Sequence, residues 1–198
     1  MLKDRGVPIE SDRGRGGGVR VGSSWGVGRI SLGYQEAVDL LISLASIEKM
    51  KIPIMFANAK SIRTKLVGSF SKQDQQKIRL LTQRIKVGDG SSPAVLSGYS
   101  GEPNQNISIV KECFLLMHQV DILYRRADGQ LHSRLIEPHY LVLNHPVWYV
   151  FAWDHSRNAS RTFRLDRIEH AEKNVIQFKV KDWQDFVDLN LAASFDAV

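Results

Sequence analysis

Between His155 and Arg167 the sequence places four arginines, Arg157, Arg161, Arg164 and Arg167, together with one histidine and the single acid Asp166. Arginine presents a planar fork of five N–H donors that matches the oxygens of a phosphate or carboxylate. Counting outward to Asp154 and Glu169 gives five potentially cationic groups against three acids, so a positive surplus remains after pairing. Tyr149, Trp153 and Phe163 are interleaved with this cluster. Surplus arginine beside aromatic rings is the combination that holds phosphates and stacks bases. The bland alternative is a set of exposed ion pairs, each contributing at most about 1 kcal/mol.

Other chemistry has weaker support. The neighbours Asp154 and His155 have the residue types of an acid/base pair, with arginines to stabilise an anion. Adjacent residues of a strand point to opposite faces, however, and no nucleophile is placed close by. His132, His139, His145 and His155 raise the question of a metal, but none shows HExxH spacing, so neither metal site nor cofactor is expected. Cys113 is the only cysteine, which excludes an intramolecular disulfide and points to a buried core thiol. The run Gly14-Arg-Gly-Gly-Gly18 lacks the Gly-Lys-Ser/Thr ending of a phosphate-binding loop. Arg13, Arg15 and Arg20 around it are candidates for contact with a nucleic-acid backbone.

The elements that must position these residues follow from hydrophobic spacing. The chain has 198 residues, 43% hydrophobic and 24% charged, with a formal net charge of +6, an ordinary globular composition. Apolar runs fall far short of the roughly 20 residues of a membrane span, and no secretory signal is visible, so a cytoplasmic protein with no membrane partner is expected. Residues 1–30 are rich in Gly and Arg and read as a turn-rich hairpin or a disordered arm, with Val7-Pro-Ile9 and Val19-Arg-Val21 as β-prone flanks for the hairpin. Ala37, Leu40, Leu41, Leu44 and Ala45 form one helical stripe. Ile62, Leu66 and Phe70 form a second behind Asn58 as N-cap. Ile78, Leu81 and Ile85 form a third, opened by a capping box at Ser71 and Asp74. Residues 91–105 read as a linker. Ile107, Val110, Phe114 and Met117 predict one more helix, and short strands follow over 120–126, 131–142, 148–153 and 161–165. Asp128-Gly129 is the hairpin signal between the first two. The fold class is α+β, with one helix before a small, partly open antiparallel barrel or a flatter sheet.

Trp148-Tyr149-Val150 followed by Arg161-Thr-Phe-Arg-Leu-Asp-Arg-Ile168 resembles the WYL domain of bacterial transcriptional regulators, with valine in the place of the naming leucine. Ile122-Leu-Tyr-Arg125, Asp128-Gly129, Glu137-Pro138 and Asp154-His155 extend the likeness. Gly6 to Gly18 is similar to the wing of the winged helix-turn-helix that precedes the sensor in such regulators. The resemblance implies a remnant of that wing over 1–30, a helical linker and dimerisation region over 31–90, the WYL sensor over 106–170 and a C-terminal segment over 171–198. It also implies that the sensor is a small Sm-like, SH3-type antiparallel β-barrel. The implied activity is non-enzymatic: the effector-sensing part of a homodimeric regulator, binding an anionic nucleotide or single-stranded nucleic acid and signalling to a DNA-binding domain. Tyr149, His155, Arg157, Arg161, Arg164 and Arg167 are then the foremost ligand residues, with Tyr124 and Arg125 behind them. The recognition helix is expected to be missing, so contact with operator DNA would require residues upstream. A stand-alone single-strand nucleic-acid module is the alternative, and a small phosphodiester hydrolase using His155 is the rival from another class.

Overall fold

A hairpin flanks the glycine-rich segment. β1 (Ile9–Ser11) and β2 (Val19–Val21) pair antiparallel with Ile9 opposite Val21 and Ser11 opposite Val19, close to the pairing expected. Gly14 has φ +140°, a conformation that side-chain-bearing residues rarely adopt. The Gly17 N–H donates to the Gly14 carbonyl at 2.9 Å and tightens the tip. The computed structural model describes residues 9–11, 13–14, 17–21, 32–49, 58–99, 101, 105–186 and 196–197. The hairpin belongs to one compact unit, residues 1–36, and everything from Ala37 to Val198 forms a second.

In the larger unit, α1 (Tyr34–Lys49) buries Ala37, Leu41, Leu44 and Ala45 of the expected stripe together with Val38, whereas Leu40, also expected in it, stays 38% exposed. α2 (Ala59–Gly68) departs from expectation. Of its stripe Leu66 and Phe70 are half-buried but Ile62 is 49% exposed, and the Asn58 side chain makes no capping bond. α3 (Lys72–Thr82) starts as predicted, with the Ser71 hydroxyl accepting the Asp74 N–H at 3.2 Å. Ile85, expected as the last turn of that helix, instead lies in β3 (Ile85–Val87), where the alternation Ile-Lys-Val buries both β-branched residues. A one-turn helix, α4 (Pro93–Leu96), opens on a proline at its first position. α5 (Gln105–Leu116) buries Val110, Cys113 and Phe114 and ends at Met117, whose φ of 56° stops the helix.

The sheet follows. β4 (His118–Arg125) and β5 (Leu131–Asn144) form the expected hairpin through Asp128-Gly129, with Gly129 at φ 83°. β6 (Val147–Asp154) and β7 (Ala159–Arg164) continue the meander, and β8 (Ile168–Gln177) returns to pair with β4. β5 is long enough to serve two partners on one edge, β4 along residues 131–136 and β3, in parallel, along 141–143. β9 (Asp196–Ala197) extends the β3 edge. The strand order is therefore β8-β4-β5-β6-β7. Among the described residues no ladder joins β7 to β8; a 3₁₀ turn, Leu165–Arg167, carries the chain between them. The sheet is open, and closure into a barrel is not present in its hydrogen bonding. β8 also escaped the sequence reading, because only Ile168 and Ala171 along it are fully buried.

One face of the sheet packs Val120, Ile122, Ile136, Val150, Ala152 and Phe163 against Phe114, Cys113 and Val110 of α5. Val38 of α1, Leu81 of α3 and Ile85 of β3 complete this core. Burial raises the Cys113 thiol pKa to about 11, as befits an inert core cysteine. The opposite face carries a smaller cluster, Tyr140, Val142 and Phe151, with Trp183 and Phe186 against it.

Candidate functional site

The β6–β7 register decides where the arginines go. Tyr149 lies opposite Arg164, Phe151 opposite Thr162, Val150 opposite Phe163 and Ala152 opposite Arg161. Directly opposed residues share a face, so Arg161 belongs to the core-facing side and Arg164 to the other. Only the 3₁₀ turn after Arg164 changes direction, and it carries Asp166 and Arg167.

The predicted residues then divide by what their side chains touch. Arg164 is 7% exposed. Its Nε and Nη2 donate to the two carboxylate oxygens of Asp166 at 3.0 and 2.7 Å, and its Nη1 and Nη2 donate to the carbonyls of Val95 and Gly98 at 3.2 and 3.1 Å. The bond to Asp166 pushes the guanidinium pKa up, against the burial that pulls it down. Tyr124 is likewise engaged inside, its hydroxyl accepting the Arg164 backbone N–H at 3.2 Å and its ring edge-on to Phe163 at 5.0 Å. Arg125 pairs with Glu169 at 2.5 Å. Arg157 and Arg161 are exposed and Arg167 is half-buried; among the described residues none of the three has a carboxylate partner. Among the described residues Arg161 donates only to the Ser160 carbonyl, at 3.1 Å. Arg13 is exposed near the hairpin tip, while Arg15 and the Arg20 side chain lie outside the described residues.

Asp154 and His155 do not pair. The Asp154 carboxylate is buried and accepts from the Ser156 N–H and hydroxyl at 2.9 and 2.6 Å, with Arg134 at 3.7 Å. His155 turns instead to Glu137, Nε2 to Oε1 at 3.0 Å, with the Gln119 amide 3.2 Å from the same nitrogen. The adjacency in sequence was misleading because the turn after Asp154 uses that carboxylate to close itself.

Glu137 serves a second imidazole that sequence reasoning missed. His139 is fully buried, and its Nδ1 accepts the Lys181 N–H at 3.0 Å. That bond puts the ring proton on Nε2, which donates to Glu137 Oε2 at 3.3 Å. Burial lowers the His139 pKa to about 4, with Arg84 and Lys181 adding to the shift and Glu137 opposing it. The remaining signal in the sequence was the Glu-x-His spacing, although a bulge between Pro138 and Tyr140 interrupts the strand there.

The aromatic side of the sheet is covered by the segment after β8. Trp183 stacks on Phe151 at 5.4 Å and stands edge-on to Tyr140 at 4.8 Å. Phe186 packs on His139 at 4.7 Å, and the Lys181 ammonium sits 3.2 Å from the centre of the Trp153 ring. Tyr149 is half-buried against this cluster. Trp183 and Phe186, two aromatics in a polar stretch, were the only hint of it. No group of three or more His, Cys, Asp or Glu side chains is disposed to hold a metal among the described residues.

Residues 105–173 match the family model described as WYL domain. Over 164 residues the chain is 23% identical to an uncharacterized HTH-type transcriptional regulator, YobV, of Bacillus subtilis (strain 168), an alignment covering 83% of this chain and 50% of that protein. The chain thus spans about half the length of that relative. A solved structure with some likeness is proteasome accessory factor B/C (PafBC) of Arthrobacter aurescens, at 21% identity and a TM-score of 0.37, covering 80% of this chain and 23% of that one.

Proposed function

We propose, from the premise that residues 105–173 of this chain are a WYL domain, that the chain is the effector-sensing part of a transcriptional regulator. Its ligand is a nucleotide or single-stranded nucleic acid, held by phosphate contacts from Arg157, Arg161 and Arg167 with His155 beside them. The observation that carries this reading is the contrast within one cluster. Arg164 has its fork filled by Asp166 and two carbonyls, whereas Arg157, Arg161 and Arg167 have no carboxylate partner among the described residues. Guanidinium groups left unpaired where neighbouring acids are already committed are available to an anion. Arg164, Tyr124 and Tyr149 serve in this account to position the β6–β7 edge rather than to touch the ligand, and Arg125 is neutralised by Glu169. The 3₁₀ turn at Leu165–Arg167 is the place where the open sheet would complete a small Sm-like barrel.

Signalling follows if the ligand prefers one of two arrangements of the helices that precede the domain, in a homodimer that repositions its DNA-binding heads. Hydrolysis has less support, since the His155 imidazole faces Glu137 and Gln119 rather than a nucleophile. Fluorescence anisotropy with a labelled 12-nucleotide oligo-dT tests the proposal. The wild type binds at low salt, and the combined Arg157→Ala, Arg161→Ala and Arg167→Ala variant binds at least tenfold more weakly. Equal affinity in the two proteins overturns the assignment.

A further inference from the structure

The positive charge of this chain is concentrated away from the sheet. Residues 58–82, which hold α2 and α3, contain six Lys and Arg residues against the single acid Asp74, a net +5. A cleft of about 630 Å³ lies between these helices and α1. Volumes of roughly 300 to 1,000 Å³ with an apolar lining and a few convergent polar groups are those of small-molecule sites.

The lining combines apolar side chains with charged and polar ones. Helices that meet normally turn apolar stripes inward. Here the exposed residues Ile62 and Leu80 point elsewhere, and α3 instead presents Lys72, Gln76 and Arg79 to the cleft. Lys72 and Arg79 are two helical turns apart, about 10 Å along the axis. Neither has a carboxylate partner among the described residues, and Asp74 is taken by Lys77 at 3.6 Å. Across the cleft Arg63 of α2 pairs with Glu48 at 3.3 Å, and among the described residues no carboxylate lines the space itself. Leu41, Val67 and Ile78 supply the apolar part of the lining, Leu41 and Ile78 as buried residues and Val67 as a half-buried one.

We propose that this cleft is a second ligand site, taking a small organic anion whose phosphate or carboxylate head lies between Lys72 and Arg79 and whose apolar body rests on Leu41, Val67 and Ile78. The cations are spread along a groove with a partly apolar lining, which suits an amphiphilic small molecule better than a nucleic-acid backbone. A ligand here touches three helices at once, and two of them, α1 and α3, contribute Val38 and Leu81 to the core under the sheet.

Isothermal titration of the full chain with octyl phosphate and with octanoate, both below their micelle concentrations, tests the site and separates the two head groups. Saturable one-to-one binding is expected for at least one of them. Lys72→Gln and Arg79→Gln, both at exposed positions, each weaken it about fivefold or more, and inorganic phosphate competes poorly for want of an apolar body. The combined Arg157→Ala, Arg161→Ala and Arg167→Ala variant binds these probes like wild type. Absence of saturable binding, unchanged binding in the Lys72→Gln, Arg79→Gln double variant, competition by inorganic phosphate at equal affinity, or loss of binding in the triple arginine variant each overturns the proposal.

Discussion

Arg164 and Asp166, two residues apart across the end of β7, form a two-point ion pair whose side chains are only 8% and 12% exposed. The same guanidinium ties the loop carbonyls of Val95 and Gly98 to the sheet. Arg164→Ala leaves a buried carboxylate and two carbonyls without their donor, and removing one partner of such a pair costs about 3 kcal/mol or more. Arg164→Lys rescues little, because an ammonium cannot reproduce the fork. Urea unfolding measures both, and Arg161→Ala, at an exposed position, serves as the comparison with a change within about 0.5 kcal/mol. An Arg164→Ala protein as stable as wild type refutes the anchoring role.

The arginines assigned to the ligand have a signature that distinguishes them from Arg164. For single-stranded nucleic acid each phosphate contact steepens the dependence of log K on log salt by about 0.7. Arg157→Ala, Arg161→Ala and Arg167→Ala should each flatten the slope by about that amount while leaving the unfolding midpoint in place. A variant that loses affinity with the slope intact acts through structure and not through a phosphate.

His139 predicts a pH dependence of stability. Its pKa is about 4 in the folded chain against the ordinary 6.5, so the native protein keeps it neutral while the unfolded chain protonates it first. The stability this provides is complete above about pH 6.5 and is lost as pH falls toward 4. With the ring fully buried, the difference is up to about 3 kcal/mol. The groups facing it are Glu137, Arg84 and Lys181. Between pH 7 and pH 4 the wild type should therefore lose up to about 3 kcal/mol more than His139→Gln. Parallel stability curves for the two proteins dispose of the idea.

The helices and the meander were legible because their signals are local. The Ser71 cap, the Asp128-Gly129 turn and the stripe through Leu41 and Leu44 each act within a few residues. What could not be read depends on partners far along the chain. Ile85 continues a helical spacing by itself and becomes a strand only because Leu141–Leu143 offers an edge. Arg164 reads as a free cation until Val95 and Gly98 arrive from 69 and 66 residues away. The Glu137–His155 contact displaces the adjacent Asp154 for the same reason.

The cover over the aromatic face gives the last test. Trp183 lies flat on Phe151, 14° from parallel, and the Tyr140 hydroxyl donates to the Lys181 carbonyl at 2.8 Å, fastening the segment to β5 and β6. His139 accepts the Lys181 N–H on the adjoining position, so three side chains of the sheet hold one short stretch of backbone and ring. Trp183→Ala removes a half-buried indole and bares Phe151 and Tyr140, a loss of about 2 kcal/mol by comparison with full truncation of a core tryptophan. If this segment is structural and the ligand lies on the arginines at the edge, oligo-dT affinity changes less than twofold in that variant. Tighter binding in Trp183→Ala, measured by the same anisotropy titration, shows that the ligand stacks on Phe151 and Tyr149 and must displace the indole to do so.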